Sequence, residues 1–165
     1  MRGRSNPAAH PDADPAEARA LAVALLARRD FASQELREKL EAKGYTRTAV
    51  ADVIAELGRT GLLNDERFAQ NYVTHHAGRG QGPVRIAVEL RRRGLDAGFI
   101  DAALASGPDW SALARKVCRA KFGPEPPVSW PQRARQARFL QYRGFSSDHI
   151  RSATGADPDT GLTEP

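Results

Sequence analysis

The sequence predicts an all-α chain built from tandem repeats of about 50 residues, and three observations predict it. Leu40, Gly44, Tyr45 and Val50 return as Leu90, Gly94, Leu95 and Ile100, and again as Leu140, Gly144, Phe145 and Ile150, a period of 50 in both directions. Nearly every apolar pattern has helical spacing, and few strand-favouring residues alternate. Glycine and proline gather outside the periodic segments, where the chain must turn. A unit of this length is too small to stand alone, so a regular period implies similar units stacked in a row.

Each copy carries the same physical message. A helix with an inward leucine ends in a basic residue (Lys43, Arg93, Arg143) and stops at a glycine able to take the left-handed conformation of a helix C-terminus. The hydrophobic residue that follows packs back on the helix just ended. A second helix then starts after Thr46, Asp96 or Ser146, each able to accept hydrogen bonds from unpaired backbone N–H groups.

Taken in order, residues 1–14 are rich in Pro, Ala, Asp and Arg without periodicity and read as a disordered extension. The first repeat, 15–60, opens with Ala18, Leu21, Ala22, Leu25 and Leu26 on one helical face that ends near Arg28 and Arg29. Ser33 is the expected N-cap of a short helix that carries Leu36 and Leu40 and closes at Gly44. Thr46 starts the third helix, whose stripe of Val50, Val53, Ile54 and Leu57 is expected to end at Gly58 and Gly61. The second and third of these helices also fit a helix-turn-helix that reads DNA. Against that, Arg47, Asp52, Glu56 and Arg59 form a mixed charged face, and phosphates repel its two acids.

The second repeat, 61–107, starts at Asn64 as N-cap, with Asp65 and Glu66 in the first turn where the helix dipole favours acids. Phe68, Tyr72 and Val73 form the buried side of a helix running to about His76. His75 and His76 are adjacent, point to different faces and cannot chelate one metal as an i, i+4 pair would. Gly78, Gly80 and Gly82 precede Pro83 at the first position of the next helix. They read as a flexible connector, with phosphate contact as a secondary role, since no P-loop signature accompanies them. The helix after Pro83 buries Ile86, Ala87 and Leu90 and ends in Arg91, Arg92 and Arg93, which cannot all face a core. The last helix buries Ile100, Ala103 and Leu104 and ends before Ser106.

The third repeat, 108–154, opens with Trp110, Leu113, Ala114, Val117 and Cys118 on one face, followed by a proline-rich connector from Phe122 to Pro127. Ser129 caps the next helix, with Ala134, Ala137 and Leu140 inward and Arg133, Arg135 and Arg138 elsewhere. Trp110 and Trp130 stand at helix starts on the apolar side, which favours packing over base stacking. The helix around Ile150 is short, and residues 155–165 read as a disordered acidic tail.

Composition narrows the function. Cys118 is the only cysteine, so neither an intramolecular disulfide nor a zinc site of paired cysteines can be written, and it reads as a small buried hydrophobe. No apolar run of transmembrane length and no secretory signal occurs, which predicts a cytoplasmic protein. No nucleophile elbow, zincin or phosphate-transfer motif is present; the chain reads as a binding protein, not an enzyme, without cofactor or metal. Residues 79–151 hold 14 basic and 6 acidic side chains, whereas residues 1–78 hold 11 of each. Such an excess suits nucleic acid or an acidic protein surface.

Three runs carry a resemblance. Gly61–Tyr72 (GLLNDERFAQNY), Gly82–Gly94 (GPVRIAVELRRRG) and Arg138–Phe145 (RFLQYRGF) resemble the signatures of the RecX family, bacterial regulators of the RecA recombinase. The resemblance covers about residues 16–154 and implies three tandem three-helix repeats, elongated and curved, lying in the groove of a RecA filament on single-stranded DNA. It further implies that RecA is restrained, and with it recombination and the DNA-damage response. The implied partner is the RecA filament on single-stranded DNA; double-stranded DNA reached through the filament is a further expected partner, and the chain is expected to act as a monomer with no membrane involved. After Ile150, Arg-Ser-Ala-Thr-Gly stands where the family pattern has a leucine-bearing helix. Charge and exposure alone, not the family, select Arg79, Arg85, Arg91, Arg92, Arg93, Arg133, Arg135 and Arg138 as the contact surface. The alternative is a helical-repeat DNA-binding protein that competes for DNA without touching RecA.

Overall fold

The structure, a computed structural model, describes residues 15–155. The extension expected over residues 1–14, and the tail beyond Gly155, lie outside the described residues. Among the described residues the chain forms nine α-helices and no strand: α1 (Pro15–Leu26), α2 (Ser33–Glu41), α3 (Arg47–Arg59), α4 (Asp65–Gly78), α5 (Pro83–Arg92), α6 (Ala97–Ala105), α7 (Trp110–Phe122), α8 (Trp130–Arg143) and α9 (Ser147–Thr154).

The positions that mark the period are the positions that build the core. Leu40, Leu90 and Leu140 are fully buried, as are Val50, Ile100 and Ile150. Gly44, Gly94 and Gly144 all have positive φ, at 96°, 79° and 89°. At Gly44 and Gly144 the backbone closes in one and the same way. The N–H of Tyr45 donates to the Leu40 carbonyl at 3.4 Å and that of Gly44 to Glu41 at 2.9 Å; Phe145 and Gly144 repeat the pair onto Leu140 and Gln141 at 3.1 and 2.9 Å. This is the Schellman closure, in which a left-handed residue lets two orphan carbonyls be satisfied while the next hydrophobe folds back.

The chain divides into two compact units. The first runs to Phe68 and includes Arg93–Asp96. Its core joins Ala18 and Ala22 of α1, Leu36 and Leu40 of α2, and the α3 stripe of Val50, Val53, Ile54 and Leu57, with Phe31 and Leu63 closing the ends. Two sequence expectations change here. Ser33 is the first helical residue of α2, not its cap; the N-cap is Ala32, whose methyl is buried and caps nothing. The N–H of Ser33 instead donates to the Asp65 carboxylate at 2.7 Å. Gly58 does not break α3, which continues to Arg59 before Gly61 turns the chain at a φ of 73°.

The second unit comprises Ala69–Arg92 and residues from Ala97 onward. α5 packs on α6, and α7, α8 and α9 pack on one another. Ala114, Cys118, Ala137, Leu140, Phe145 and Ile150 are buried together. Ser129 and Ser146 cap α8 and α9 as their sequence positions predict. α9 is short, eight residues, and is closed by Gly155.

Candidate functional site

The eight arginines selected by charge fall into distinct environments, and the difference comes from what each finds within reach. Arg93 is not a free cation. Its guanidinium donates to both oxygens of Glu35 at 3.3 Å, and Glu35 also receives Arg29 at 2.7 Å. Burial raises the Glu35 carboxyl, but the two guanidiniums outweigh it and hold its pKa below the ordinary glutamate value. Arg85 is occupied too. It pairs with Glu89 at 3.3 Å, and the Tyr72 hydroxyl donates to the same carboxylate at 2.6 Å. The Tyr72 hydrogen bond, with the Arg85 contact, holds Glu89 below its usual range against the effect of burial. Arg135 lies over the Phe122 ring, 5.5 Å from its centre.

Four more present their charge to solvent. Arg91 and Arg92 are exposed at the C-terminal end of α5 and make no ion pair among the described residues. Cations there suit the helix dipole. Arg133 and Arg138 are exposed on α8, where Tyr142 follows Arg138 by one turn and is 80% exposed. Arg135, Arg138 and Tyr142 stand at i, i+3 and i+7 on one stripe of that helix, so an aromatic ring is set in line with cations. Charge alone does not single out Tyr142. Its spacing from the arginines was the available signal.

Arg79 is held in a different setting, on the turn between α4 and α5. Where the sequence predicts a flexible connector with phosphate contact as a secondary role, the turn is held by hydrogen bonds. The N–H of Gly82 donates to the Arg143 carbonyl at 2.9 Å and that of Val84 to the Gly144 carbonyl at 3.0 Å. Two of the donors a phosphate needs are therefore spent on the closure at the end of α8. Gly82 and Gly144 are in such close backbone approach that a Cβ on either would overlap its neighbour. The turn is thus fixed, and it walls a groove of about 370 Å³ into which Arg79, Lys116, Lys121 and Arg143 converge. The gathering of Lys116, Lys121 and Arg143 around Arg79 depends on the docking of the turn.

Other sequence readings find their places. Cys118 is buried and its thiol donates to the buried Gln136 amide at 3.3 Å, while burial pushes its pKa up, so it is an inert thiol. Trp110 is half-buried and donates its indole N–H to the Leu104 carbonyl at 3.1 Å. His75 and His76 meet edge to face, and His76 stacks on Tyr72. Among the described residues no three His, Cys, Asp or Glu side chains come together as metal ligands. No helix among them is long and apolar enough to cross a membrane.

Fold and surface thus define a helical protein of repeated three-helix domains that exposes cations in its later repeats. Compared with known proteins, the chain matches the first, second and third three-helix domains of RecX over residues 18–57, 64–104 and 109–154. It is 45% identical over 136 residues to Regulatory protein RecX of Halorhodospira halophila, covering 82% of this chain and 84% of that one. With Regulatory protein RecX of Stenotrophomonas maltophilia (strain K279a) the identity is 41% over 139 residues, 84% and 85% of the two chains. The crystal structure of RecX from Lactobacillus salivarius shares the fold, with a TM-score of 0.75 at 19% identity, over 84% of this chain and 93% of that one. The chain belongs to the RecX family, and its relatives are named regulatory proteins.

Proposed function

We propose that this protein binds the RecA recombinase filament on single-stranded DNA as a monomer, in the cytoplasm, and restrains its ATP hydrolysis, strand-exchange and coprotease activities, thereby regulating DNA repair and the SOS response. The observation that carries this reading is membership of the RecX family through all three domains, with relatives of 41–45% identity named as regulators. The free arginines support it. A nucleoprotein filament presents phosphate and acidic protein surface together, and Arg91, Arg92, Arg133 and Arg138 are exposed cations that make no ion pair among the described residues. Arg85 and Arg93 already satisfy Glu89 and Glu35, so they serve the fold first.

The test is a variant series in an assay of RecA ATP hydrolysis. Replacing Arg91 and Arg92 together by alanine is expected to require about tenfold more protein for half-inhibition, equivalent to about 1.4 kcal/mol, with helical content and melting unchanged. Unchanged inhibition would remove those residues from the interface. A second reading, competition for DNA without RecA contact, is favoured by Tyr142 standing in line with Arg135 and Arg138, an arrangement suited to stacking on unpaired bases. Salt separates the two. Competition through phosphate contacts weakens linearly on a log–log plot as salt rises, and the inhibition would have to follow that slope.

A further inference from the structure

We propose that the groove between the α4–α5 turn, α7 and α8 is a docking site for an acidic protein segment carrying an aliphatic side chain, separate from the exposed arginines that meet phosphate. Its identification with a segment of the RecA filament rests on the reading above; the chemistry of the groove stands without it. Arg79, Lys116, Lys121 and Arg143 converge on the groove, and no carboxylate lines it. Four cations around one concavity of about 370 Å³ repel one another and are relieved by an anion.

The floor decides which anion. It is formed by Leu113, Val117 and Phe139, half-buried residues that leave apolar surface in contact with water. A nucleic-acid strand uses such a floor by stacking a base on an aromatic face. Phe139 offers none freely, because the Arg143 guanidinium lies 5.3 Å over its ring and Phe122 meets it edge to face at 5.3 Å. The remaining surface is aliphatic, which a leucine, isoleucine or valine covers and a planar base does not. Lysines act as compact point charges on flexible stems that pair with any anion, so it is the aliphatic floor that selects between anions.

The groove is also made in advance. Gly80, at a φ of 76°, brings the turn down onto Val117, whose methyl would lie only 3.0 Å from a Cβ placed there. Arg143 donates to the Arg79 carbonyl at 3.3 Å, and Gly82 is tied to the Arg143 carbonyl. A site whose walls are fixed by hydrogen bonds loses little freedom on binding.

Fluorescence anisotropy on the intact protein at physiological salt tests this with three labelled probes: a short peptide of aspartate and glutamate around one leucine, the same peptide with serine for leucine, and oligothymidylate. The leucine peptide is expected to bind, and to lose at least about tenfold in affinity with the serine replacement. It is expected to lose as much in the Lys116→Ala, Lys121→Ala double variant and in Ala120→Phe, which fills the groove from an exposed position of α7 without removing a charge. Oligothymidylate is expected to be indifferent to Ala120→Phe. The proposal is overturned if the leucine peptide fails to bind, if it binds the groove variants and wild type alike, or if Ala120→Phe displaces oligothymidylate as strongly as peptide. Circular dichroism confirms that each variant is folded; should Ala120→Phe fail to fold, the lysine double variant and the serine peptide decide. Failure of the RecA reading is a separate result, seen as wild-type protein that leaves RecA ATP hydrolysis untouched while still binding the peptide.

Discussion

Gly144 is where two demands meet at one residue. Its φ of 89° belongs to the left-handed region, and the backbone and Cβ of Arg85 lie against its Cα. Gly61 shares the first demand but not the second, since a Cβ there meets nothing. Gly61→Ala should therefore cost about 1 kcal/mol of stability through conformation alone, and Gly144→Ala at least about 2–3 kcal/mol, as read from urea unfolding midpoints. Equal effects at the two positions would mean that the Gly144–Arg85 approach is not a constraint. His149 supplies a second test at this scale. Its Nδ1 accepts from the Ser146 backbone at 3.4 Å and lies 2.8 Å from the Ser146 hydroxyl, a capping box that only the unprotonated nitrogen can complete. Burial lowers its pKa, against the opposing charges of Asp148 and Asp109. The folded chain then binds fewer protons than the unfolded one. The stabilisation is full above the unfolded value near 6.5 and is lost as pH falls from there through the folded value. Melting curves should show His149→Gln, which keeps an acceptor at this position, losing less stability than wild type between about pH 7 and pH 5. His76, also lowered first by burial, contributes in the same direction and is common to both proteins.

At the scale of the element, what the sequence disclosed and what it hid differ in a physical way. The helix closures at Gly44, Gly94 and Gly144 were legible because glycine alone tolerates the required conformation, and the caps at Thr46, Asn64, Ser129 and Ser146 because each acts within three residues of itself. The start of α2 was not, because its N–H is satisfied by Asp65, 32 positions away. Asp65→Ala should accordingly destabilise the protein by about 1 kcal/mol, the value of an ordinary cap, while Ser33→Ala should change it by only a few tenths. The reverse order would restore Ser33 as the cap. The turn at Gly78–Gly82 was misread for the same reason. Three glycines in five residues signal freedom locally, and the hydrogen bonds that remove it come from Arg143 and Gly144.

For the whole molecule, the basic excess of residues 79–151 was visible as a count, and the family as three motif runs. The sorting of the cations was not. Whether an arginine is free depends on a carboxylate far along the chain, as Glu35 is from Arg93, and four cations converge on one groove only when the α4–α5 turn is docked. The paired arginines, Arg85 and Arg93, each hold a carboxylate within one unit, and the exposed ones are left for a filament. The most direct measurement is RecA ATP hydrolysis on single-stranded DNA at physiological salt, with this protein added before and after filaments form and its binding to bare DNA followed in parallel. The account predicts inhibition of preformed filaments at concentrations where bare DNA stays unbound. Inhibition that only tracks the occupancy of bare DNA would contradict it.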